Sequence, residues 1–400
     1  MTYSYVVIGG GIAGTNAAFG IRKHDPEGSI LIIGDEPFPV YSRVSLGKVV
    51  YGGADPEKLM LKSTQQYDDA LIDTQFGKRV AEVDFEHKLL TLGDGSHIGY
   101  EKLLVATGGR ARQLSIPGSD LEGVFSFQNM MDAMRSAHYI QDKERVLVIG
   151  GGFIGIEFVD VLTRLGKKVT LLVREPWYWS TFLAQEGGEL LNEYISEHVE
   201  VLYESEAIAF HGKDGVLAQA ELSNGETRDF GAVYAGIGIE LNHDFITSRK
   251  LQKQRGILTN EYMQTSIKDV YAVGDIAEYY DVFAKQYTSG GTWVVASMQG
   301  VTVAHNMTHP IQLKAFEMVP SFAPKIPLPV AFVGQCRLTP EMKVEVIHHQ
   351  DGQYIQANFL NNILVGAAMI RESALMGRFQ TWIKQKMTYD EVMEETRKIL

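Results

Sequence analysis

Cysteine is almost absent from this sequence. Its 400 residues hold one, Cys336. A single cysteine excludes an internal disulfide, a redox-active cysteine pair and a cysteine-rich metal site within the chain. Long apolar runs are missing too. No stretch approaches the roughly 18 uninterrupted apolar residues of a membrane span, so no transmembrane helix is expected. Positive charge is in deficit: 37 Lys and Arg face 49 Asp and Glu, a net charge of −12. That balance disfavours broad electrostatic binding to nucleic acid or to an anionic membrane. No secretion signal is visible. The start, Met-Thr-Tyr-Ser followed by YVVIGGGIAG, lacks a basic front and is broken by glycines, so it reads as strand and turn. The cytoplasm is the simplest expected location.

What is present is ordinary globular material, 45% hydrophobic and 22% charged. At about 150 residues per domain, the length suggests two or three domains. Glycine is abundant, with 40 residues, and it clusters in loops. YVVI at 5–8 fits a buried strand. Three glycines follow, then the small-residue helix pattern IAGTNAAFGIRKH and a second strand, SILIIGDE. This is βαβ with a glycine turn after the first strand. The grammar returns at 146 with VLVI, GGGFIG, the helix IEFVDVLTRLG and the strand KKVTLLVRE. LLVATGG at 103–109, AVYAGIGIELN at 232–242 and TSIKDVYAVGDIAE at 265–278 are further strands running into glycine turns. Six of the twelve prolines fall in 310–340, which suits a crossing between domains. The last 75 or so residues alternate apolar and polar, an antiparallel sheet with a terminal helix or two.

Gly9-Gly10-Gly11-Ile12-Ala13-Gly14 fits GxGxxG. Gly9 permits the tight turn, Gly11 lets backbone approach a pyrophosphate, and Gly14 lets helix and strand pack closely. The diphosphate would lie at the positive end of the helix. Asp35 and Glu36 follow at the distance where an acid holds a ribose hydroxyl. Gly150, Gly152, Phe153, Ile154 and Gly155 repeat the pattern. Here Arg174 precedes Glu175. Arginine can pair with a 2′-phosphate and favours NADPH, whereas glutamate can hold a free 2′-hydroxyl and favours NADH. The strand register is open at this stage, with a lean to NADPH. Two dinucleotide units imply two dinucleotides, most economically a tightly held flavin and a diffusing nicotinamide.

With these motifs in order, the chain resembles the pyridine nucleotide-disulfide oxidoreductase superfamily with the glutathione reductase fold, closely over about 4–310. Ala106-Thr107-Gly108-Gly109 looks like the family's second flavin signature. VYAVGD, with Gly274 and Asp275, looks like its last one, where Asp275 would bind the FAD ribityl chain. AGIGIELN, with Gly238, looks like the return from the nicotinamide domain. Disulfide reductases of the family carry a cysteine pair beside the flavin, and the NADH oxidases and peroxidases carry one cysteine near residue 45. This chain has neither. Its Pro39-Val40-Tyr41-Ser42-Arg43-Val44-Ser45-Leu46-Gly47-Lys48 resembles the PYxRxxLSK segment of rubredoxin, putidaredoxin and dioxygenase-ferredoxin reductases, with Val40 in place of the proline before tyrosine and Gly47 in place of serine.

The resemblance implies FAD and NADH or NADPH as cofactors. It implies Lys48 near flavin N5, paired with Glu157 from the second loop helix, one residue from each dinucleotide domain. Without it, these would read as a surface lysine and a helix-start acid. Trp293 would face the flavin or serve the core, Arg43 would meet the FAD diphosphate or a surface partner, and Val80 would offer backbone to adenine or pack in its strand. The expected fold is α/β: an FAD domain of 1–112 and 248–325, an NAD(P)H domain of 113–247, and a C-terminal α+β domain of 326–400 for an interface, a homodimer or a docked partner. The expected reaction passes hydride from NAD(P)H to FAD and then single electrons to a rubredoxin- or ferredoxin-type protein. The alternatives are an NAD(P)H oxidase, a quinone reductase, a slowly reduced flavoprotein of the apoptosis-inducing type, or a subunit of a larger redox complex. The eleven histidines show no metal-ligand spacing such as HExxH, and no Ser-His-Asp pattern is recognisable, so neither a metal centre nor a hydrolase site is expected.

Overall fold

The computed structural model describes residues 1–281, 286–313, 319–324 and 326–399. The chain divides into two compact units. The first comprises Met1–Val44, Glu57–Arg110 and Glu240–Glu317, and the second Ser45–Pro56, Ala111–Ile239 and Met318–Leu400. The sequence-based division runs differently. It gives 45–56 to the flavin domain and sets 326–400 apart, with a boundary at 325 that lies outside the described residues.

In the first unit a parallel core runs in the order Ile72–Phe76, Ile30–Gly34, Thr2–Ile8, His97–Val105. Val270–Ala272 joins the far half of His97–Val105, also in parallel. Ile30, Leu31, Ile32 and Ile33 are all buried, the unbroken apolar run of a strand covered on both faces. The near half of His97–Val105 carries the antiparallel pair Leu89–Leu92 and Val80–Asp84. Helix Ile12–His24 packs on the sheet and on the long helix Trp293–Thr308. The two helices touch through glycine. A Cβ on Gly300 would lie 2.3 Å from the Ala13 carbonyl oxygen, and one on Gly20 would lie 2.6 Å from Ala304 Cβ.

The second unit repeats the plan. Its parallel sheet runs Glu200–Tyr203, Lys168–Val173, Arg145–Ile149, Ala232–Ala235, Val124–Ser126. An antiparallel sheet of Ala207–Lys213, Val216–Leu222 and Thr227–Asp229 lies beside it and shares its core. The chain end contributes a second antiparallel sheet, Ser321–Phe322, Val330–Gly334, Ile363–Ile370, Gln353–Leu360, Lys343–Gln350, as its alternation predicts. Buried Gln356 ties that sheet to the nucleotide-binding part: its side chain accepts from Ala184 N–H at 2.8 Å and donates to the Phe182 carbonyl at 3.1 Å. No helix among the described residues is long and apolar enough to cross a membrane.

Candidate functional site

Three glycine signatures of the first unit end adjacent parallel strands. Gly9 follows Thr2–Ile8, Ala106 follows His97–Val105, and Gly274 follows Val270–Ala272. Gly9 adopts φ +118°, and a Cβ there would sit 2.2 Å from the Ala106 carbonyl oxygen. Only glycine fits both constraints. A Cβ on Gly14 would meet the Gly9 carbonyl oxygen at 2.0 Å, so Gly14 sets the approach of helix to turn. Around Gly11 the space is open, as backbone approach to a phosphate requires. Gly11 caps the helix with no side chain, which leaves the first N–H groups of Ile12–His24 for an anion. Thr107 Oγ1 donates to the Asn242 carbonyl at 2.7 Å and Asn242 Nδ2 returns a bond to the Thr107 carbonyl at 3.1 Å, which fixes the turn through Gly108.

Around this junction the polar side chains are oriented. Strand Ile30–Gly34 ends one residue before Asp35 and two before Glu36. Asp35 is exposed. Glu36 accepts from Tyr41 Oη at 2.5 Å and forms an ion pair with Arg43, whose guanidinium also lies 5.1 Å from the Tyr41 ring centre. Burial raises the pKa of Asp275, while Arg43 and Arg255 pull it back down. Val80 is buried and faces Leu92 across its strand pair. Trp293 opens the long helix behind the Thr292 cap, and its indole N–H is buried without a partner among the described residues.

Sequence reasoning missed two kinds of residue here. Gln299 is fully buried. Its Oε1 accepts the Gly274 N–H at 2.6 Å, while its Nε2 has no partner among the described residues. The only signal was one glutamine among small apolar residues in the long helix. Buried tyrosines also brace both loops. Tyr67 Oη lies 3.2 Å from Thr15 Oγ1, which reaches the Gly10 carbonyl, and Tyr178 Oη donates to the Gly152 carbonyl at 3.3 Å.

The second loop reproduces the first. Gly150 has φ +112°, and a Cβ there would sit 2.5 Å from the Gly236 carbonyl oxygen. One on Gly155 would sit 1.9 Å from the Gly150 carbonyl oxygen. The turn through Gly238, φ +97°, accepts the Arg112 N–H at 3.0 Å. Ile154 is exposed. The side chain of Phe153, taken from the sequence as cofactor-binding, lies in an aromatic cluster. Its ring centre lies 4.6, 5.2, 5.1 and 5.6 Å from those of Trp179, Phe182, Phe322 and Phe332. The structure also fixes the register that the sequence left open. Strand Lys168–Val173 ends so that Arg174 stands where Asp35 does and Glu175 where Glu36 does. Arg174 is exposed and 4.0 Å from Glu206.

Lys48 and Glu157 are not split between the units, as the sequence suggested. Lys48 lies on the short helix Gly47–Gly52, which packs on the second loop helix, Phe153–Arg164, that carries Glu157. A Cβ on Gly47 would be 2.8 Å from Val161, and Arg164 lies over the Tyr51 ring. Lys48 is exposed and has no ion-pair partner among the described residues. The expected pair is therefore not formed in this structure. The reason is local: the helix is held by its apolar side, through buried Val49 and Val50, while the lysine is exposed. The sequence showed no metal-ligand spacing, yet the structure brings His24, His305 and His309 together. Cys336 is buried, and burial pushes its thiol up to about 12.

Residues 3–300 match the family described as pyridine nucleotide-disulphide oxidoreductase. The chain belongs to this family. It is 29% identical to rubredoxin-NAD(+) reductase of Pseudomonas putida over 70% of this chain and 73% of that protein. It is 29% identical to a nitrite reductase (NAD(P)H) of Bacillus subtilis over 96% of this chain and 48% of that protein. The crystal structure of a covalent putidaredoxin reductase–putidaredoxin complex superposes with a TM-score of 0.89 at 23% identity, covering 96% of this chain and 94% of that one. The fold therefore extends through the C-terminal sheet. Members of the family are oxidoreductases, and this chain is one.

Proposed function

We propose that this chain is an FAD-dependent NADH oxidoreductase of the cytoplasm that reduces a small one-electron carrier protein of rubredoxin or ferredoxin type. One turnover converts NADH and two oxidised carriers into NAD+, a proton and two reduced carriers. The single observation that carries this reading is the doubled glycine junction in a chain whose only thiol is buried and held protonated. Two dinucleotides can be held, and no dithiol is present to take the electrons.

The first unit fits FAD on its own evidence. Gly11 opens onto free space, the helix start is uncapped, and two buried donors, Trp293 N–H and Gln299 Nε2, lack partners among the described residues. Gly9–Gly14 would hold the diphosphate with Arg43, Glu36 the adenosine ribose, and Asp275 the ribityl hydroxyls. Val80 and Ala106–Gly108 would bound the site with backbone. Bound FAD supplies the conversion between hydride chemistry and one-electron transfer. Gly150–Gly155, with Gly238, would hold the nicotinamide dinucleotide in the second unit. Glu175, in the position of Glu36, would accept the ribose hydroxyls and repel a 2′-phosphate, which favours NADH over the sequence-based lean to NADPH. Lys48 would lend a positive charge to the reduced flavin without a Glu157 pair.

Steady-state assays with NADH and a panel of rubredoxin, ferredoxins, quinone, nitrite and oxygen test this reading. The expected result is fast reduction of one iron–sulfur or rubredoxin-type carrier. Rapid oxygen consumption with no carrier reduced would replace it with an oxidase. A second reading has its own support: the nitrite reductase match runs through 96% of this chain, whereas the rubredoxin reductase match stops at 70%. In that reading the chain is the flavoprotein module of a larger reductase, and electrons reach nitrite only when a partner subunit is added.

A further inference from the structure

His24, His305 and His309 form a cluster at the far end of the first unit. One ring nitrogen of each lies within 4.8 Å of one of each of the others. His24 is the last residue of helix Ile12–His24. His305 lies in the last turn of Trp293–Thr308, and His309 caps it. The glycine loop is at the opposite end of the 13-residue helix, about 18 Å away at 1.5 Å per residue. The cluster is thus separate from the dinucleotide junction.

Two of the three rings already have an oxygen partner. His305 Nε2 lies 2.9 Å from the Ile311 carbonyl, which can only accept, so Nε2 carries the proton and Nδ1 keeps its lone pair. Thr308 Oγ1 spends its own proton on the Ala304 or His305 carbonyl. It must therefore accept from His309 Nδ1 at 2.9 Å, which leaves the Nε2 lone pair free. Metal-binding histidines are oriented in this way, with the second ring nitrogen donating to an oxygen. Two helix C-termini also end here, and their negative poles favour a cation. The His305 and His309 rings stack at 4.1 Å, a contact suited to neutral imidazoles.

We propose that His24, His305 and His309 bind one divalent transition ion of the zinc type, with water completing the shell. At a Zn–N distance of about 2.05 Å, tetrahedral ligand atoms stand roughly 3.4 Å apart. In-plane lone pairs of stacked rings cannot meet at one ion, so the imidazoles reach that spacing from 4.8 Å or less when His305 or His309 rotates out of the stack on its fixed helix end. Three nitrogens with no carboxylate select zinc, nickel or copper over magnesium or calcium. The ion would clamp the ends of the two helices whose other ends form the dinucleotide site.

The test uses the full-length flavoprotein after chelator treatment. Titration calorimetry should show one Zn2+ bound per chain, a higher melting temperature with Zn2+, and no shift with Mg2+ at the same concentration. Co2+ should give the long-wavelength difference bands of a tetrahedral site. His24→Ala and His305→Ala should each abolish saturable binding while the flavin spectrum is retained. If His305→Ala does not fold, exposed His24→Gln gives the same reading. Absence of saturable Zn2+ binding by the unsubstituted chain overturns the proposal. So does binding that survives His24→Gln.

Discussion

Gln299 is a polar side chain inside an apolar helix, and it holds the turn that presents Asp275. Gln299→Leu would leave the buried Gly274 N–H without an acceptor, at a cost of about 1–3 kcal/mol. Urea denaturation should show that loss, and FAD should dissociate more readily. Choice of nicotinamide also belongs to single residues. Glu175→Ala should weaken NADH by roughly 10-fold or more, as the loss of hydrogen bonds to a charged acceptor implies, and should affect NADPH less. Arg174→Ala should spare NADH. A selective rise in the NADPH Michaelis constant for Arg174→Ala would instead assign a 2′-phosphate site there. Cys336 should resist thiol reagents at pH 8, because its folded pKa is near 12, and should react fully once the chain is unfolded. Gly9 and Gly14 were legible in the sequence because their geometry admits no other residue. Gln299 was not, since a glutamine in a helix reads as surface until its neighbours are known.

At the scale of elements, the helices are placed by residues without side chains. Gly300→Val would drive methyl groups into the Ala13 carbonyl and force apart the helix that starts at the first glycine loop. Overpacking of this kind costs about 1–3 kcal/mol. The variant should melt earlier and hold less FAD. The short helix Gly47–Gly52 gives a kinetic prediction. Lys48→Ala should slow flavin reduction in stopped flow by about 10-fold with FAD content unchanged, since positioning and charge both act on the transferring hydride. Equal rates in Lys48→Ala and Glu157→Ala and the unsubstituted chain would make both ordinary surface charges. Parallel strands were legible from runs such as Ile30–Ile33. The attachment of residues 45–56 to the second unit was not. The six-residue helix within that stretch carries too little periodicity to announce a partner, and Gly47 meets Val161 only after the chain has folded.

For the whole molecule, one FAD per chain should copurify and colour the protein yellow. A colourless chain that takes up no FAD removes the proposed function. The sequence revealed two copies of one nucleotide-binding plan because each glycine turn follows a strand and precedes a helix. It set the last residues apart as a docking domain, since alternation shows a sheet but not what the sheet rests on. The structure answers with Phe332, fully buried against Phe153, Trp179 and Phe182. Phe332→Ala should cost about 3–5 kcal/mol and raise the Michaelis constant for NADH, an effect distant in sequence from either glycine loop. That cluster also constrains how the chain can be recombined. A crossover between the second glycine loop and the tail would part Phe153 from Phe322 and Phe332. Tails borrowed from a relative to change the electron acceptor would have to bring their own matching loop. Nucleotide loop and tail are in this sense a single heritable block, although more than 150 residues of chain separate them.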